Sequence, residues 1–341
     1  MIAALIVGDL EWCSVRVLVC GGAGFIGSTL SDRLLADGHT VVVVDNLSRG
    51  TRANLRGALA SGRCELVPLD ITDPALPSVV KRVEPEVIVN LAAQIDVRHS
   101  VADPLHDASS NVIGTVAVLE AARQAGARKV VLASSVAIFG PPAVLPVTEE
   151  TPTNPLSPYA VSKLAGELYL RQYTQLHGLQ TTTLVLTNTY GPRQDPHGEA
   201  GVIAIFADRM LKGEPTRVFG AGDNSRDYVF VDDVVDALVR ACGPVADGRR
   251  LNIGTGVAVT DLELHRLMAA AAGAPPEPAF APPRLGDLPH MVVDAAKARQ
   301  VLGWAPKVAL AEGLVRTFEW LRSVTADELT PASGRSASTR A

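Results

Sequence analysis

Short β-branched apolar runs alternate, in the first half of the chain, with longer segments whose apolar residues recur at helical spacing. The apolar runs are VRVLVC (15–20), TVVVVD (40–45), CELVPLDI (64–71), VIVNLAA (87–93) and KVVLASSV (129–136). Between them, STLSDRLLADG (28–38) and NVIGTVAVLEAARQAG (111–126) have the periodicity of helices that end at Gly38 and Gly126. Strands this apolar suit burial on both faces, so the pattern predicts an α/β fold with a doubly wound parallel sheet of Rossmann type.

The amino-acid composition of the chain changes near residue 190, where Pro and Gly become frequent. We therefore expect a dinucleotide-binding Rossmann domain over 15–190, to which some later segments return, and a smaller α/β substrate-binding lobe mainly over 191–322. Residues 1–14 are apolar but contain Asp9 and Glu11 and no basic leader, so they are interpreted as an extension rather than a signal peptide. The polar, small-residue-rich segment 323–341 is predicted to be a disordered tail.

Composition limits the classes of partner that the protein is expected to bind. The chain has 341 residues, of which 47% are apolar, and 31 basic against 36 acidic residues give a net charge of −5. No segment is strongly basic and no apolar run reaches transmembrane length, so we expect neither a nucleic acid nor a membrane as partner. The four cysteines are scattered without metal-ligand or disulfide spacing, which predicts no metal site and unpaired thiols in a reducing cytoplasm.

Three spaced glycines follow the first predicted strand. Gly21, Gly24 and Gly27 allow the backbone to approach a pyrophosphate closely at the N-terminus of the next helix. The second strand ends in Asp45, where a carboxylate accepts hydrogen bonds from an adenosine ribose and repels a 2′-phosphate. This context predicts a dinucleotide site that prefers NAD to NADP, although Arg49 lies close enough in sequence to soften the preference.

Tyr159 and Lys163 are four residues apart in SPYAVSKLAGE, which places both side chains on one face of a helix. A tyrosine in water titrates near ~10, and a neighbouring ammonium favours the phenolate, so the pair is a candidate general base. Ser135, at the end of the buried run 129–136, is a candidate partner for the reacting hydroxyl. Tyr-x-x-x-Lys alone is common by chance; the serine at the strand end strengthens the hypothesis.

The motifs together show a resemblance to a known family. GGAGFIG, DNLSRG, NLAAQIDVRHSVADP, SSVAIFG, NPLSPYAVSK, NTYGPRQDPHGEAGVIAIF, SRDYVFVDDVV, NIGTG and PPRLGDLP occur in an order that resembles the extended short-chain dehydrogenase/reductases acting on nucleotide sugars. Within that group the chain is most similar to UDP-glucose 4-epimerases. The resemblance covers about residues 15 to 322.

The resemblance implies a reaction. Tyr159 takes the proton of a sugar 4-hydroxyl while hydride passes from C4 to NAD, and return of the hydride to the opposite face of the 4-keto sugar completes 4-epimerisation. NAD is then a tightly held prosthetic group, with Lys163 and Ser135 as the other catalytic residues. The implied cofactor-binding residues are Gly21, Gly24, Phe25, Ile26, Gly27, Asp45, Asn46, Asp70, Ile71, Leu91, Ala92, Ala93, Gln94, Tyr159 and Lys163.

The resemblance also implies a UDP-sugar substrate and a homodimer formed through two long helices near 105–124 and 158–177. The implied substrate-binding residues are Ser135, Asn188, Arg193, Val202, Arg217, Phe219, Arg226, Arg284 and Asp287. UDP-glucose and UDP-galactose are the first choice. Because Arg193 could bind a C6 carboxylate, UDP-glucuronate remains an alternative substrate, as does UDP-N-acetylglucosamine.

Other functions fit the residues less well. Related 4,6-dehydratases carry Asp-Glu after the catalytic hydroxyl residue, and decarboxylases usually carry Glu at the second position; here these positions are Val136 and Ala137. A non-catalytic NAD-binding protein would be free to lose Ser135, Tyr159 or Lys163, which are all present. The family often has Tyr where this chain has Phe139, a change that either alters sugar contacts or has little effect.

Overall fold

The strands and helices follow the predicted alternation. The computed structural model describes residues 14–197, 201–283 and 288–324. The strands are β1 (Arg16–Cys20), β2 (Thr40–Asp45), β3 (Cys64–Pro68), β4 (Val87–Asn90), β5 (Lys129–Ser135), β6 (Gln180–Leu186), β7 (Asn188–Tyr190), β8 (Arg217–Phe219), β9 (Ser225–Phe230), β10 (Arg249–Ile253), β11 (Ala258–Thr260), β12 (Ala279–Ala281) and β13 (His290–Met291). The helices are α1 (Phe25–Ala36), α2 (Arg56–Ala60), α3 (Leu76–Val83), α4 (Val97–Ala102), α5 (Pro104–Ala108), α6 (Gly114–Ala125), α7 (Pro158–His177), α8 (Val202–Leu211), α9 (Val231–Cys242), α10 (Asp261–Ala272), α11 (Ala296–Leu302) and α12 (Leu310–Ser323).

The central sheet runs in the order β10-β6-β5-β4-β1-β2-β3, and its neighbouring strands are all parallel. The strand order reverses between β1 and β4, and a crevice opens at such a reversal beyond the carboxyl ends of the strands. Apolar clusters cover the two faces of the sheet. The predicted doubly wound α/β fold is confirmed.

Smaller sheets lie outside this core. Strand β9 pairs with β11, β13 and β7. Strands β8 and β12 form a separate two-stranded sheet. Because β7 directly follows β6, the chain leaves the central sheet at its carboxyl edge and enters the second set of strands there.

One predicted helix differs in form. The segment 105–124 is helical throughout, but its hydrogen-bond pattern changes: α5 ends at Ala108, a π-helical turn covers Ser109–Ile113, and α6 begins at Gly114. Gly126 ends α6 in the left-handed conformation (φ 71°), as its position in the sequence predicts. The predicted N-terminal extension up to residue 13 and the predicted tail from residue 325 lie outside the described residues.

Among the helices that the structure describes, none has both the length and the apolar character needed to cross a bilayer. Cys20, Cys64 and Cys242 are free thiols.

The glycine turn after β1 is tightly packed, and this generates a prediction. A Cβ added at Gly27 would lie 2.3 Å from the carbonyl oxygen of Gly21. Gly27→Ala should therefore lower the free energy of unfolding by about 1–3 kcal/mol, measured by urea denaturation. The matched control is Gly57→Ala in α2, where the nearest atom to the new Cβ is 4.0 Å away. This control should be neutral or stabilising by up to about 1 kcal/mol, and equal losses in both variants would contradict the packing argument.

Candidate active site

The glycine loop and the start of α1 form one wall of the crevice. Gly21 has φ 75°, and a Cβ there would lie 2.7 Å from the Ala92 backbone nitrogen, so the loop packs directly against the segment after β4. At Gly24, by contrast, a Cβ would meet a single neighbour, the Gly21 oxygen at 3.3 Å. No side chain caps the N-terminus of α1. This end of the helix therefore offers backbone N–H groups and a positive dipole to an anion.

Acidic side chains lie at the ends of β2 and β3. The Asp45 carboxylate accepts hydrogen bonds from the backbone nitrogens of Ala23 (2.9 Å) and Leu47 (2.8 Å), and burial raises its pKa against the effect of these two bonds. Asn46 donates to Asp70 at 2.6 Å. Burial alone would raise the pKa of Asp70, but hydrogen bonds from Thr72 and Asn46 outweigh it and lower the pKa.

Helix α7 contacts the carboxyl end of β5 over successive turns. The ammonium of Lys163 donates to the Ala133 carbonyl at 3.1 Å and lies 5.8 Å from the centre of the Tyr159 ring. One turn further along, the Glu167 carboxylate accepts a hydrogen bond from the Ser134 hydroxyl. Because residues 159, 163 and 167 share one face of the helix, the contacts hold Tyr159 beside the end of β5, where Ser135 stands.

The protonation of the Tyr159–Lys163 pair differs from the expectation based on charge alone. Burial raises the pKa of Tyr159 to about 12; a hydrogen bond with Ser135 lowers it, and the Asp107 carboxylate raises it further. Burial lowers the pKa of Lys163 to about 8, although Asp107 and Glu167 both act to raise it. Desolvation disfavours both charged forms, and in the protein alone it outweighs the attraction between phenolate and ammonium.

The Glu167 carboxylate belongs to an ion pair that links helix α7 to the edge strand β10. Arg250 on β10 approaches it at 2.6 Å, and the Glu167 side chain is 5% exposed. Arg250 also donates to the Glu149 carbonyl at 3.2 Å, while the Glu149 side chain accepts from the Asn252 backbone nitrogen at 2.8 Å. A strand contributed by the second half of the chain thus supports helix α7.

A single cleft of about 740 Å³ brings most of the predicted residues together. Its volume is at the upper end of the range typical of small-molecule and cofactor sites. The predicted residues that line it are Gly21, Gly24, Phe25, Ile26, Gly27, Asp45, Asn46, Asp70, Ile71, Leu91, Ala92, Ala93, Gln94, Ser135, Tyr159, Lys163, Asn188 and Arg193.

The cleft has the hydrogen-bond donors and acceptors that a dinucleotide requires. The open face at Gly24 and the uncapped start of α1 suit the pyrophosphate, and the carboxylate at the end of β2 suits an adenosine ribose. Lys163 and Tyr159 lie in the same cleft, beyond the carboxyl end of β5. The residues present therefore fit NAD. Within the described residues no cluster of His, Cys, Asp or Glu has the arrangement of a metal site.

The structure places several predicted substrate residues elsewhere. Val202, with Asn188, lines a separate cavity of about 20 Å³. Arg217, Phe219 and Arg226 are not among the residues that line the large cleft, and Arg226 donates to the Ser225 carbonyl at 2.9 Å. Arg284 and Asp287 lie outside the described residues.

Arg193 lines the cleft in an unexpected arrangement. It has φ 71°, and its Nη2 donates to Asp32 on α1 at 2.6 Å. This ion pair directs the guanidinium towards the helix that follows the glycine loop. Phe139 is fully buried in an apolar cluster with Val136 and Ile138 and is not among the residues lining the cleft. The change from Tyr to Phe therefore affects core packing rather than the lining of the cleft.

Sequence reasoning missed several buried or cleft-lining groups. Asp107, Asn111 and Glu167 are buried close to the Tyr159–Lys163 pair, and Trp320 reaches the cleft from α12. Glu167 was detectable, because it continues the four-residue spacing of Tyr159 and Lys163. Nothing in the local sequence pattern distinguishes the others.

Comparisons with known proteins agree with this geometry. The model of the NAD dependent epimerase/dehydratase family matches residues 17–254. A UDP-glucose 4-epimerase of Mycolicibacterium smegmatis is 55% identical over 310 residues, which cover 91% of this chain and 99% of the relative. The crystal structure of UDP-glucose 4-epimerase from Thermotoga maritima with UDP-glucose has a TM-score of 0.86 at 42% identity, covering 90% of this chain and 99% of that one. The Thermus thermophilus UDP-glucose 4-epimerase in complex with NAD has a TM-score of 0.84 at 41% identity, covering 91% and 100%.

The chain belongs to the NAD dependent epimerase/dehydratase family. The predicted family and the predicted use of NAD are confirmed at this level.

The Glu167–Arg250 pair generates a stability prediction. Arg250→Met should lower the free energy of unfolding by about 2–3 kcal/mol, because it leaves the Glu167 carboxylate buried without its cation. We expect less than for a fully buried pair, since Arg250 keeps 27% of its side chain exposed. Urea denaturation measures the change. The control Lys297→Met breaks a pair in which Glu150 is 72% exposed and should cost less than about 1 kcal/mol. A similar cost for both variants would contradict the argument.

Proposed function

We propose that this protein is an NAD-dependent nucleotide-sugar 4-epimerase, with UDP-glucose and UDP-galactose as its first-choice substrates. The observation that carries the proposal is the presence of Tyr159, Lys163 and Ser135 in one cleft with the glycine loop and Asp45. The 55% identity to a UDP-glucose 4-epimerase over nearly the whole chain supports the same reaction and the same sugar.

Tyr159 accepts the proton of the sugar 4-hydroxyl at its phenolic oxygen and later returns it. Ser135 hydrogen-bonds the reacting oxygen and holds it close to Tyr159. Lys163 contributes the positive charge that favours the phenolate form of Tyr159, which is the form able to accept the proton, and its hydrogen bond to Ala133 keeps it in position. The glycine loop and Asp45 would hold NAD, and the bound cofactor would supply the hydride chemistry at C4 with no net change in its own redox state per turnover.

Residues next to Ser135 favour this reaction over dehydration or decarboxylation. Val136 and Ala137 form a short 3₁₀ turn directly after Ser135, and Val136 packs in the apolar cluster of Phe139. Neither side chain can donate or accept a proton, whereas elimination of water requires an acid and a base there. Simple hydride and proton transfer needs only the three residues described above.

UDP-glucuronate and UDP-N-acetylglucosamine are alternative substrates in the same reaction. The Arg193 Nη2–Asp32 ion pair uses one part of the guanidinium, whereas the buried Nη1 has no hydrogen-bond partner within the described residues, so a role of Arg193 in binding a C6 carboxylate stays a prediction. Arg193, Asn188 and Arg226, with Arg284 and Asp287, stay predicted contacts of the substrate, as do Val202, Arg217 and Phe219.

We also propose a cytoplasmic homodimer, with the Rossmann domain and substrate lobe bounded as predicted. The exposed apolar side chains concentrate on the two segments expected to form the interface. Val161, Leu168 and Leu176 form one stripe on α7, while Leu105 is 82% and Ile113 59% exposed on the neighbouring segment. The unpaired, buried thiols of Cys20 and Cys242 suit a reducing compartment.

The function is tested by incubating purified protein with UDP-glucose, UDP-N-acetylglucosamine and UDP-glucuronate separately and identifying products by proton NMR. We expect the 4-epimer of UDP-glucose as the main product. Tyr159→Phe should retain the fold by circular dichroism and lose nearly all turnover, by a factor on the order of 10² or more, because no group takes the 4-hydroxyl proton.

A 4-keto-6-deoxy product would contradict the epimerase proposal, and a stronger reaction of either other sugar would change the assigned substrate. Full activity of Tyr159→Phe would remove Tyr159 as the base. Bound NAD is checked separately by the absorbance of nucleotide released on denaturation. A strict requirement for added NADP would contradict the role given to Asp45.

The homodimer is tested with Leu168→Arg, which places a charge in the apolar stripe of α7. We expect a dimer for the unchanged protein and a monomer for the variant by light scattering, because an unpaired charge is costly to bury. The control is Val315→Arg on α12, where Val315 is similarly exposed (45%, against 49% for Leu168). A monomeric unchanged protein, or dissociation by the control alone, would contradict the proposed interface.

A further inference from the structure

Asp107 is a buried carboxylate for which the reaction described above gives no role. It lies on α5 and is 1% exposed. Its Oδ1 accepts hydrogen bonds from the side-chain amides of Asn111 (3.1 Å) and Gln94 (3.2 Å). Its Oδ2 is buried and has no hydrogen-bond partner among the residues that the structure describes. A buried carboxylate oxygen without a partner is unusual and calls for an explanation, because its desolvation is not offset locally.

The hydrogen bonds around Asp107 link it to the catalytic helix. Asn111, in the π-helical turn, donates to the Ser162 hydroxyl at 3.1 Å, and Ser162 donates to the Tyr159 carbonyl at 2.9 Å. Ser162 is also the chain neighbour of Lys163. Asp107 is therefore connected to the α7 turn between Tyr159 and Lys163 through a single intervening residue, Asn111.

A comparison of the buried charges near Lys163 points to a pairing. Glu167 is neutralised by Arg250 at 2.6 Å. Asp107 bonds only to neutral amides, and Lys163 donates to a carbonyl rather than to a carboxylate. Asp107 and Lys163 are thus a buried anion and a buried cation whose charges are not compensated at hydrogen-bond distance, on elements packed against each other.

We propose that Asp107 is the counter-ion of Lys163 and a positioning residue for the reaction, acting through the charge of its unpartnered oxygen on both Lys163 and Tyr159. This inference rests on the proposed function. The Asp107 charge keeps Lys163 as an ammonium despite its burial and keeps the proton on Tyr159 until it is returned to the sugar. The direction agrees with the pKa values, because Asp107 raises the pKa of both groups.

Other titratable groups lie near Asp107 and must be considered in any pH dependence. They are His106 on its own helix, His99 on α4, and Tyr159, Lys163 and Glu167 on α7. His99 and His106 contact each other, with ring centres 5.5 Å apart.

The test uses Asp107→Asn in the holoenzyme. The new carbonyl oxygen can keep both hydrogen bonds from Asn111 and Gln94, and Oδ2 has no bond to lose, so the substitution removes mainly charge. We expect the pH profile of kcat to move as a whole by about one unit to lower pH, with KM little changed. The acid limb moves because Tyr159 loses its proton more readily, and the alkaline limb moves because Lys163 loses its ammonium form earlier.

Glu65→Gln is the matched control, since it removes one negative charge from a half-exposed side chain paired with Arg82. It should leave the profile in place. Asp107→Ala removes both charge and hydrogen bonds: a merely structural role requires Asp107→Asn to behave like the unchanged protein and Asp107→Ala to differ. An unmoved profile in Asp107→Asn would overturn the proposal.

A second measurement does not depend on turnover. The tyrosinate absorbance of Tyr159, obtained by subtracting the matching Tyr159→Phe spectrum, is followed against pH with and without Asp107→Asn. We expect the Tyr159 transition to fall by about one pH unit, and an unchanged transition would overturn the proposal. Inactivity of the unchanged protein on every UDP-sugar would instead contradict the proposed function and leave this readout valid.

Discussion

The hydrogen bond between the Lys163 ammonium and the Ala133 carbonyl is the constraint on which the rest of the site depends. It holds a charged group in a buried position at the carboxyl end of a central strand, where desolvation already lowers the pKa of the lysine to about 8. Glu167 with Ser134, one turn along, keeps the helix on the same strand. This contact fixes the position of the Tyr159 phenol and therefore its distance from Ser135.

Burial disfavours the charged forms of both Tyr159 and Lys163. In the protein alone, Tyr159 is a weak acid whose pKa is about 12. A base that takes a proton from the substrate and later returns it must retain the proton between the two transfers. A high pKa of the base favours this retention. The Asp107 carboxylate acts in this direction on Tyr159, whereas the positive charge of an oxidised nicotinamide would act in the other.

The fold could be predicted because it depends on local patterns, and the predicted catalytic residues lie in local patterns of the same kind. Apolar runs identified the strands, and the spacings of Gly21, Gly24 and Gly27 and of Tyr159 and Lys163 are properties of one turn and one helix. The Arg193–Asp32 pair joins residues 161 positions apart, and the contacts of Asp107 require a π-helical turn that periodicity does not indicate. The direction of the Tyr159 pKa shift in the protein alone depends on the depth of burial, which cannot be read from a sequence, whereas charges can be counted there.

Strand β10 completes the central sheet, although it begins only at residue 249 and pairs with β6, which ends at residue 186. During synthesis β6 must therefore remain an open edge while more than sixty further residues emerge, with its backbone donors and acceptors available to other chains. Arg250, which neutralises Glu167, arrives on that same late strand. The nascent catalytic helix consequently carries an uncompensated carboxylate until the second half of the chain has been made, so that maturation of the active centre is tied to closure of the sheet edge.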